Sequence, residues 1–171
     1  MNITVRIATV TCLALVLGTT NATLQAAEKH TITYTKTDVR TVSKSSFEVG
    51  DVPNHVIVDE VSRHLPRFSD ARFSPTEEWI QSLTDETDGS GTHRGHFIQY
   101  HPGGDRTYGT FEGRHATTTK PDGAWSMKWE GTYRYLGGSG RYQGIRGAGT
   151  YSGRSTPNEP FFEEGKETVE Y

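Results

Sequence analysis

Glycine is dispersed among aromatic residues and threonines through most of the chain, and this pattern limits the folds available to it. The sequence has 19 glycines, of which only Gly18 precedes residue 28. Disorder is one explanation for abundant glycine, but a disordered chain rarely carries 3 tryptophans, 8 tyrosines and 7 phenylalanines. Glycine beside aromatic and β-branched residues instead indicates short strands joined by tight turns.

Short stretches of alternating character recur along the sequence. "HTITYTK" alternates Ile32 and Tyr34 with threonines, and the turn sequences "PGG" and "KPDG" separate later stretches. About eight such strands predict an all-β fold, a small closed antiparallel barrel, because closure removes unpaired edges. At most one short helix is expected, at "SPTEEWIQSL", where Ser74 and Pro75 are typical of a helix start. The alternation after Trp79 in that stretch also fits a strand.

The first 27 residues have the layout of a secretory signal peptide. Arg6 precedes the uncharged run "IATVTCLALVLGTT", and small residues follow before Glu28. The run is too short for a membrane span, which needs roughly 20 apolar residues. We expect cleavage after Ala26 or Ala27, a single domain over residues 28–171, and export to a bacterial periplasm or the medium, without a membrane anchor after cleavage.

Charge and cysteine content exclude several functions. The formal net charge is −3 and no basic face stands out, so nucleic acid is not an expected partner. The single cysteine, Cys12, lies in the predicted signal peptide, so the mature chain has no disulfide and no thiolate. Among the histidines, His93 and His101 share a strand face but lie far apart along it, while His96 faces the other way. We therefore expect no metal and no cofactor.

The glycine-rich stretch "YRYLGGSGRYQGIRGAG" raises the question of a nucleotide site. A dinucleotide site needs such glycines between a strand and a helix, and a phosphate loop usually adds a lysine. Here more aromatic residues and glycines follow, with no helical pattern and no such lysine. The glycines instead predict a hairpin turn at "GGSG" and bends in the next strand.

The segment "YLGGSGRYQGIRGAG" resembles the GG[ST]G-x-[FY]-x-G-x-x-G motif of the allene oxide cyclase and dirigent superfamily. "GTHRGHFIQY", "GDRTYGTFEG" and "KWEGTYRYLGGSG" precede it in the order of that family, and the resemblance covers roughly residues 90–171. It implies an eight-stranded antiparallel barrel with an apolar cavity, often assembled as a trimer, and we expect a homo-oligomer, either a trimer or a dimer. Members of the family cyclise a fatty-acid epoxide, act on polyketides, or steer radical coupling without catalysing the oxidation.

The resemblance supports a prediction of the fold better than a prediction of the activity. Plant cyclases hold a catalytic water with a glutamate–asparagine pair and a proline. The nearest stretch here, "DEVSRHLP", has Glu60 and Pro66 but no asparagine. Phe97 lies near the place of the family's cavity cysteine. Glu60 is therefore a candidate catalytic residue and Phe97 a candidate ligand contact.

The strand "AWSMKWEGTYRY" has one face of large apolar residues that must be covered. That face is core filling, a cavity wall or a subunit contact. We name as candidate ligand contacts the residues Phe97, Tyr108, Trp125, Trp129 and Tyr133. Glu112 shares a face with Tyr108, and if that face points inward, Glu112 is a desolvated acid or base.

These features predict an exported, cofactor-free barrel that binds a small, largely apolar molecule. Three roles remain open at this point. The protein is an isomerase or cyclase, a binding or steering module without catalysis, or a structural protein whose aromatic face joins subunits. An ionisable group inside a cavity favours the first role, and an interior packed solid with side chains favours the third.

Overall fold

The computed structural model describes residues 29–171, so the predicted signal peptide and its cleavage site lie outside the described residues. No helix in this part of the chain is long and apolar enough to cross a membrane. The secondary structure consists of strands and one 3-10 turn: Lys29–Lys36 (β1), Val39–Glu48 (β2), His55–His64 (β3), Arg67–Phe68 (β4), Glu77–Thr87 (β5), Ser90–Tyr100 (β6), Arg106–Thr119 (β7), Trp125–Gly138 (β8), Gly140–Tyr142 (η1), Arg146–Ser155 (β9) and Phe162–Glu170 (β10).

The strands form one curled antiparallel sheet, which confirms the all-β prediction. Their order across the sheet is β2-β3-β5-β6-β7-β8-β9-β10-β1-β4. The prediction of a closed barrel of about eight strands is wrong, because ten strands form a half-barrel with β2 and β4 as its outer strands.

The structure has ten strands rather than about eight because two stretches of extended chain are each divided into two strands. β1 ends at Lys36 and β2 begins at Val39, while β3 ends at His64 and β4 begins at Arg67. Between the latter two lies Pro66, which has no N–H to donate to a strand ladder. β3 therefore pairs with β2 and β5, whereas the two residues of β4 pair with β1 at the other side of the sheet.

The expected helical turn at Ser74 and Pro75 does not form. The chain there is irregular, and β5 begins at Glu77. Thr76 donates from its backbone N to the carbonyl oxygen of Tyr100 at 2.7 Å, and β5 then pairs with β6 along its whole length. Pairing with a neighbouring strand thus overrides the local helix-start signal.

Inner aromatic rings lie opposite glycines on the concave face of the sheet. A Cβ on any of these glycines would overlap the ring on the neighbouring strand. The glycines therefore provide the space that the rings occupy, as glycine positions do in strongly curved sheets. The directly paired positions are Phe97 with Gly109, Phe111 with Gly95, Tyr133 with Gly149, Trp129 with Gly153, and Tyr34 with Gly165.

The segment between β3 and β5 covers one end of the concave face. Phe73 in this segment and Tyr142 in η1 are fully buried, and their rings meet edge to face at 5.4 Å. Both rings also contact His101, just after the end of β6. This end of the half-barrel is therefore filled by side chains.

The connection from β8 to β9 begins within the "GGSG" stretch, where a turn was predicted: Gly137 and Gly138 end β8, and Ser139 and Gly140 follow it. Ser139 donates from its backbone N to Arg106 O at 2.8 Å and accepts a bond from Arg106 N at 3.0 Å. Gly140 has a φ of +59°, in the left-handed region that favours glycine. A Cβ at Gly140 would overlap Asp105 Oδ1, and a Cβ at Gly138 would lie 2.6 Å from Tyr142 O.

Substitution of Gly140 by alanine is expected to lower the melting temperature. The left-handed backbone costs a non-glycine residue about 1–3 kcal/mol, and displacement of Asp105 adds to that cost. Gly144→Ala is the matched control, because Gly144 also has a positive φ of +83° but has nothing within 4 Å of its Cβ position. Thermal unfolding of both variants measures the difference. Equal melting temperatures for the two variants would contradict the crowding at Asp105.

Candidate functional site

A buried lysine lies on the concave face, at the end of β1. In β1 the residues Ile32, Tyr34 and Lys36 point inward, following the period of two of a strand. Lys36 is 5% exposed, and its Nζ lies 2.5 Å from Glu78 on β5 and 3.1 Å from Glu163 on β10. One ammonium therefore joins carboxylates from two separate strands.

The charge of Lys36 depends on these two carboxylates. Burial alone would lower the pKa of Lys36, but the attraction of Glu163 and Glu78 outweighs burial and raises that pKa well above its usual value. The ammonium is consequently charged near neutral pH. It also lies 5.0 Å from the centre of the Tyr34 ring, a cation–π distance.

Each carboxylate of the pair has further donors. Trp129 donates from Nε1 to Glu163 Oε2 at 2.9 Å, and the hydroxyl of Tyr34 lies 3.4 Å from the other oxygen of Glu163. Gln99 donates from Nε2 to Glu78 Oε1 at 3.0 Å. We call Lys36, Glu78 and Glu163 the buried ionic triad.

A third carboxylate is buried beside the triad. Glu167 is 2% exposed and accepts hydrogen bonds at Oε2 from the hydroxyls of Tyr133, at 2.5 Å, and Tyr135, at 3.0 Å. Burial raises the pKa of Glu167 to about 7, against the opposing effect of the two tyrosine hydroxyls. Its other oxygen, Oε1, has no hydrogen-bond partner in the described part of the chain.

Gln99 connects the two groups. Its Oε1 accepts a hydrogen bond from Thr107 Oγ1 at 2.8 Å and lies 3.3 Å from the Tyr135 hydroxyl, while its Nε2 binds Glu78. Thr107 Oγ1 also lies 3.0 Å from His101 Nε2. A continuous set of buried polar contacts thus runs from the covered end to the triad, and such networks tend to fix one arrangement of the interior.

A cavity of about 50 Å³ adjoins the triad. Its wall is polar on one side, where the triad and Gln99 lie, and largely aromatic elsewhere. The lining residues are Tyr34, Lys36, Glu78, Ile80, Phe97, Gln99, Phe111, Tyr133, Tyr151 and Glu163. One water needs roughly 10–15 Å³ of such space, so this cavity holds roughly four ligand atoms. The interior is therefore mostly, but not completely, filled.

Three of the predicted ligand contacts lie on the concave face. Phe97 and Tyr133 are buried and line the cavity. Trp129 binds Glu163 and packs on Phe161 at 5.2 Å between ring centres. The other two do not reach the cavity, since Tyr108 is 45% exposed and Trp125 is 38% exposed.

The prediction that Glu112 faces the interior is wrong. Glu112 is exposed on the outer face of β7, whereas Phe111, Gly109 and Gly113 point inward. The face that carries glycines is the inner one, because neighbouring rings need their space. Tyr108 shares the outer face with Glu112, and the shift of register between Tyr108 and Gly109 does not bring it inward.

Glu60 lies away from the cavity, although it is partly buried. On β3 it accepts a hydrogen bond from Thr41 Oγ1 at 3.0 Å and lies 3.6 Å from the Nζ of Lys44, both on β2. Its partners are therefore side chains of the outer strand, and the lining of the cavity does not include it.

The residues that form the polar side of the cavity were missed at the sequence level. Lys36 ends an alternating run with Ile32 and Tyr34, and Glu163 shares a face with Gly165 in β10. A charged residue at an inward position of such a run, or on the same face as a glycine, is the signal that was available. No group of three or more His, Cys, Asp or Glu residues within 29–171 is arranged to hold a metal ion.

Comparison with known proteins identifies no relative: no family model, no curated protein and no solved structure matches this chain.

Proposed function

We propose that the protein is an exported, cofactor-free member of the allene oxide cyclase and dirigent-like barrels that binds a small, largely apolar molecule and isomerises or cyclises it. The observation that carries this proposal is the cavity bounded by the buried ionic triad and aromatic rings. Buried ion pairs often stabilise a fold less than apolar residues of the same size, and ionisable groups in clefts are frequent at functional sites.

The ligand that fits this cavity carries one oxygen function on an apolar body. An ammonium has three N–H donors, and two carboxylates contact Lys36, so one donor remains for a carbonyl or hydroxyl oxygen of the ligand. Phe97 and Phe111 offer apolar contact to the rest of the molecule. A fixed positive charge beside a carbonyl oxygen stabilises the negative charge that develops there when a neighbouring C–H bond breaks.

A binding or steering module without catalysis is the second candidate. It is favoured by the charge of Lys36, because an ammonium held between two carboxylates cannot accept a proton and does not act as a base. Under this alternative the ligand binds in the same cavity and leaves unchanged.

The proposal also includes export and association with further copies. Export rests on the sequence pattern of residues 1–27. Association as a trimer or dimer follows from the family resemblance, and the outer strand β2 supports it with unpaired backbone and exposed apolar side chains. Val42 is 51% exposed and Phe47 is 62% exposed.

Acetone is a suitable first probe, because its four non-hydrogen atoms match the cavity volume. We expect saturation-transfer NMR to detect acetone bound to the protein. Ile80→Phe fills the cavity without changing any charge and should abolish the signal. Ile98→Phe is the matched control on the opposite face of the neighbouring strand β6 and should retain it.

The two isoleucine variants also define the failure of the proposal. Acetone binding that survives in Ile80→Phe would place the ligand elsewhere on the protein. The absence of binding to the wild type by acetone, butanone and 2-propanol would reject an oxygen-binding cavity.

A further inference from the structure

Two glycines face each other across the middle of the sheet. Gly113 on β7 pairs directly with Gly131 on β8, both on the concave face. A Cβ on either residue would overlap or crowd the hydroxyl of Tyr151 from β9. Paired glycines weaken a strand, since each loses much conformational freedom and adds no side-chain contact. The space they leave is occupied by a polar pair.

That pair is Tyr151 with His93. The Tyr151 hydroxyl lies 2.7 Å from His93 Nε2, and a Cβ on Gly113 would also crowd that nitrogen. Tyr151 is 8% exposed and lines the cavity together with Phe111. His93 is half-buried, and His93 and Tyr151 both also line a wide open groove. The pair therefore connects the cavity with a part of the surface that solvent reaches.

The His93 ring is neutral near neutral pH and is a weaker base than a free imidazole. Burial, supported by the charge of His115, lowers its pKa to about 4 against the opposing effect of Glu163, so the ring is neutral near neutral pH. A neutral imidazole protonated at Nδ1 presents a free electron pair at Nε2, toward Tyr151. The ring centres of His93 and His115 lie 5.8 Å apart. The Nε2 of His115 lies 2.9 Å from Oε2 of the partly exposed Glu86.

We propose that Tyr151 and His93 form a proton-transfer pair that serves the cavity. The inference rests on the proposed function, because it names the acid–base group which the charged Lys36 cannot provide. Tyr151 is the catalytic residue, since it lines the cavity, and His93 is a positioning residue that acts through the Tyr151 hydroxyl.

The proton transfer is balanced without an oxidant or reductant. The Tyr151 oxygen takes a proton from the carbon beside a bound carbonyl group, while its own proton moves to His93 Nε2. The electron pair of the broken C–H bond forms the C=C bond of an enolate, and the carbonyl electron pair moves to the oxygen beside Lys36. Reversal of these movements at the same or another carbon returns the proton, so the product is an isomer or an exchanged substrate.

Deuterium exchange of acetone in D2O tests this step. Wild-type protein should accelerate the loss of the acetone proton signal over buffer. Tyr151→Phe keeps the ring over the glycines, and His93→Gln keeps a polar side chain that does not titrate. Each should slow the protein-dependent exchange by about 100-fold or more while acetone still gives its binding signal. Tyr108→Phe and His96→Gln are the exposed controls on outer faces and should exchange acetone as the wild type does.

Three other outcomes would contradict the proposed proton-transfer pair. Exchange at the wild-type rate in both Tyr151→Phe and His93→Gln assigns the chemistry to another group and leaves the proposed function in place. A wild-type protein that binds acetone without accelerating exchange favours the binding module. Absence of both binding and exchange rejects the pair and the proposed function together.

Discussion

Replacing Lys36 by methionine is expected to lower the free energy of unfolding by about 3–5 kcal/mol, because two buried carboxylates lose their shared cation. The side chains of Lys36 and Glu78 are 6% and 4% exposed, and that of Glu163 is 12% exposed, so water cannot replace the ammonium without opening the interior. Urea unfolding at pH 8, where free carboxylates are ionised, measures the loss.

Two further variants show whether the loss of stability in Lys36→Met comes from the broken ion pairs or from the loss of a lysine side chain as such. Lys128→Met, on the exposed face of β8, should change the unfolding free energy by about 0.5 kcal/mol or less. The triple substitution of Lys36 by methionine and of Glu78 and Glu163 by glutamine removes all three charges and should recover much of the stability. A loss below about 1 kcal/mol in Lys36→Met alone would show that the carboxylates are not dependent on it.

The strands were predictable because most of them follow simple alternation. "HTITYTK" and "AWSMKWEGTYRY" form β1 and most of β8, and the connection after β8 begins within the "GGSG" stretch. The half-barrel was not predictable from alternation, since it depends on where β3 stops pairing with its neighbours. Pro66 marks that point in the sequence, but its effect on the strand order emerges only once β4 pairs with β1.

The site was harder to predict, because a period of two separates the faces of a strand without saying which face is inside. On β7 the choice between Glu112 and Phe111 depended on one physical fact: glycines on a curved sheet face inward when rings of neighbouring strands need their space. Lys36 and Glu163 resemble surface residues until their partners in the fold are known. The two carboxylates that contact Lys36 are 42 and 127 positions away from it in the sequence, so they give no local signal.

Replacing Glu167 by glutamine is expected to remove a large part of the pH dependence of stability. Burial raises the pKa of Glu167 to about 7, whereas the same group in the unfolded chain titrates near 4.5. The protonated form is therefore favoured by folding. Its contribution is complete below about pH 4.5 and is lost as the pH rises through about 7, a change of about 3 kcal/mol for such a shift.

The difference between the variant and the wild type isolates this effect. Glu167→Gln is uncharged at every pH, so its unfolding free energy relative to the wild type should rise by about 3 kcal/mol between pH 4.5 and pH 8. The other titratable groups are the same in both proteins, so their contributions cancel in the difference. Glu112→Gln, an exposed carboxylate on β7, is the matched control and should show no such rise. Parallel pH profiles for Glu167→Gln and the wild type would mean that Glu167 ionises inside the fold without cost, and the two tyrosine hydroxyls would then have to satisfy its charge fully.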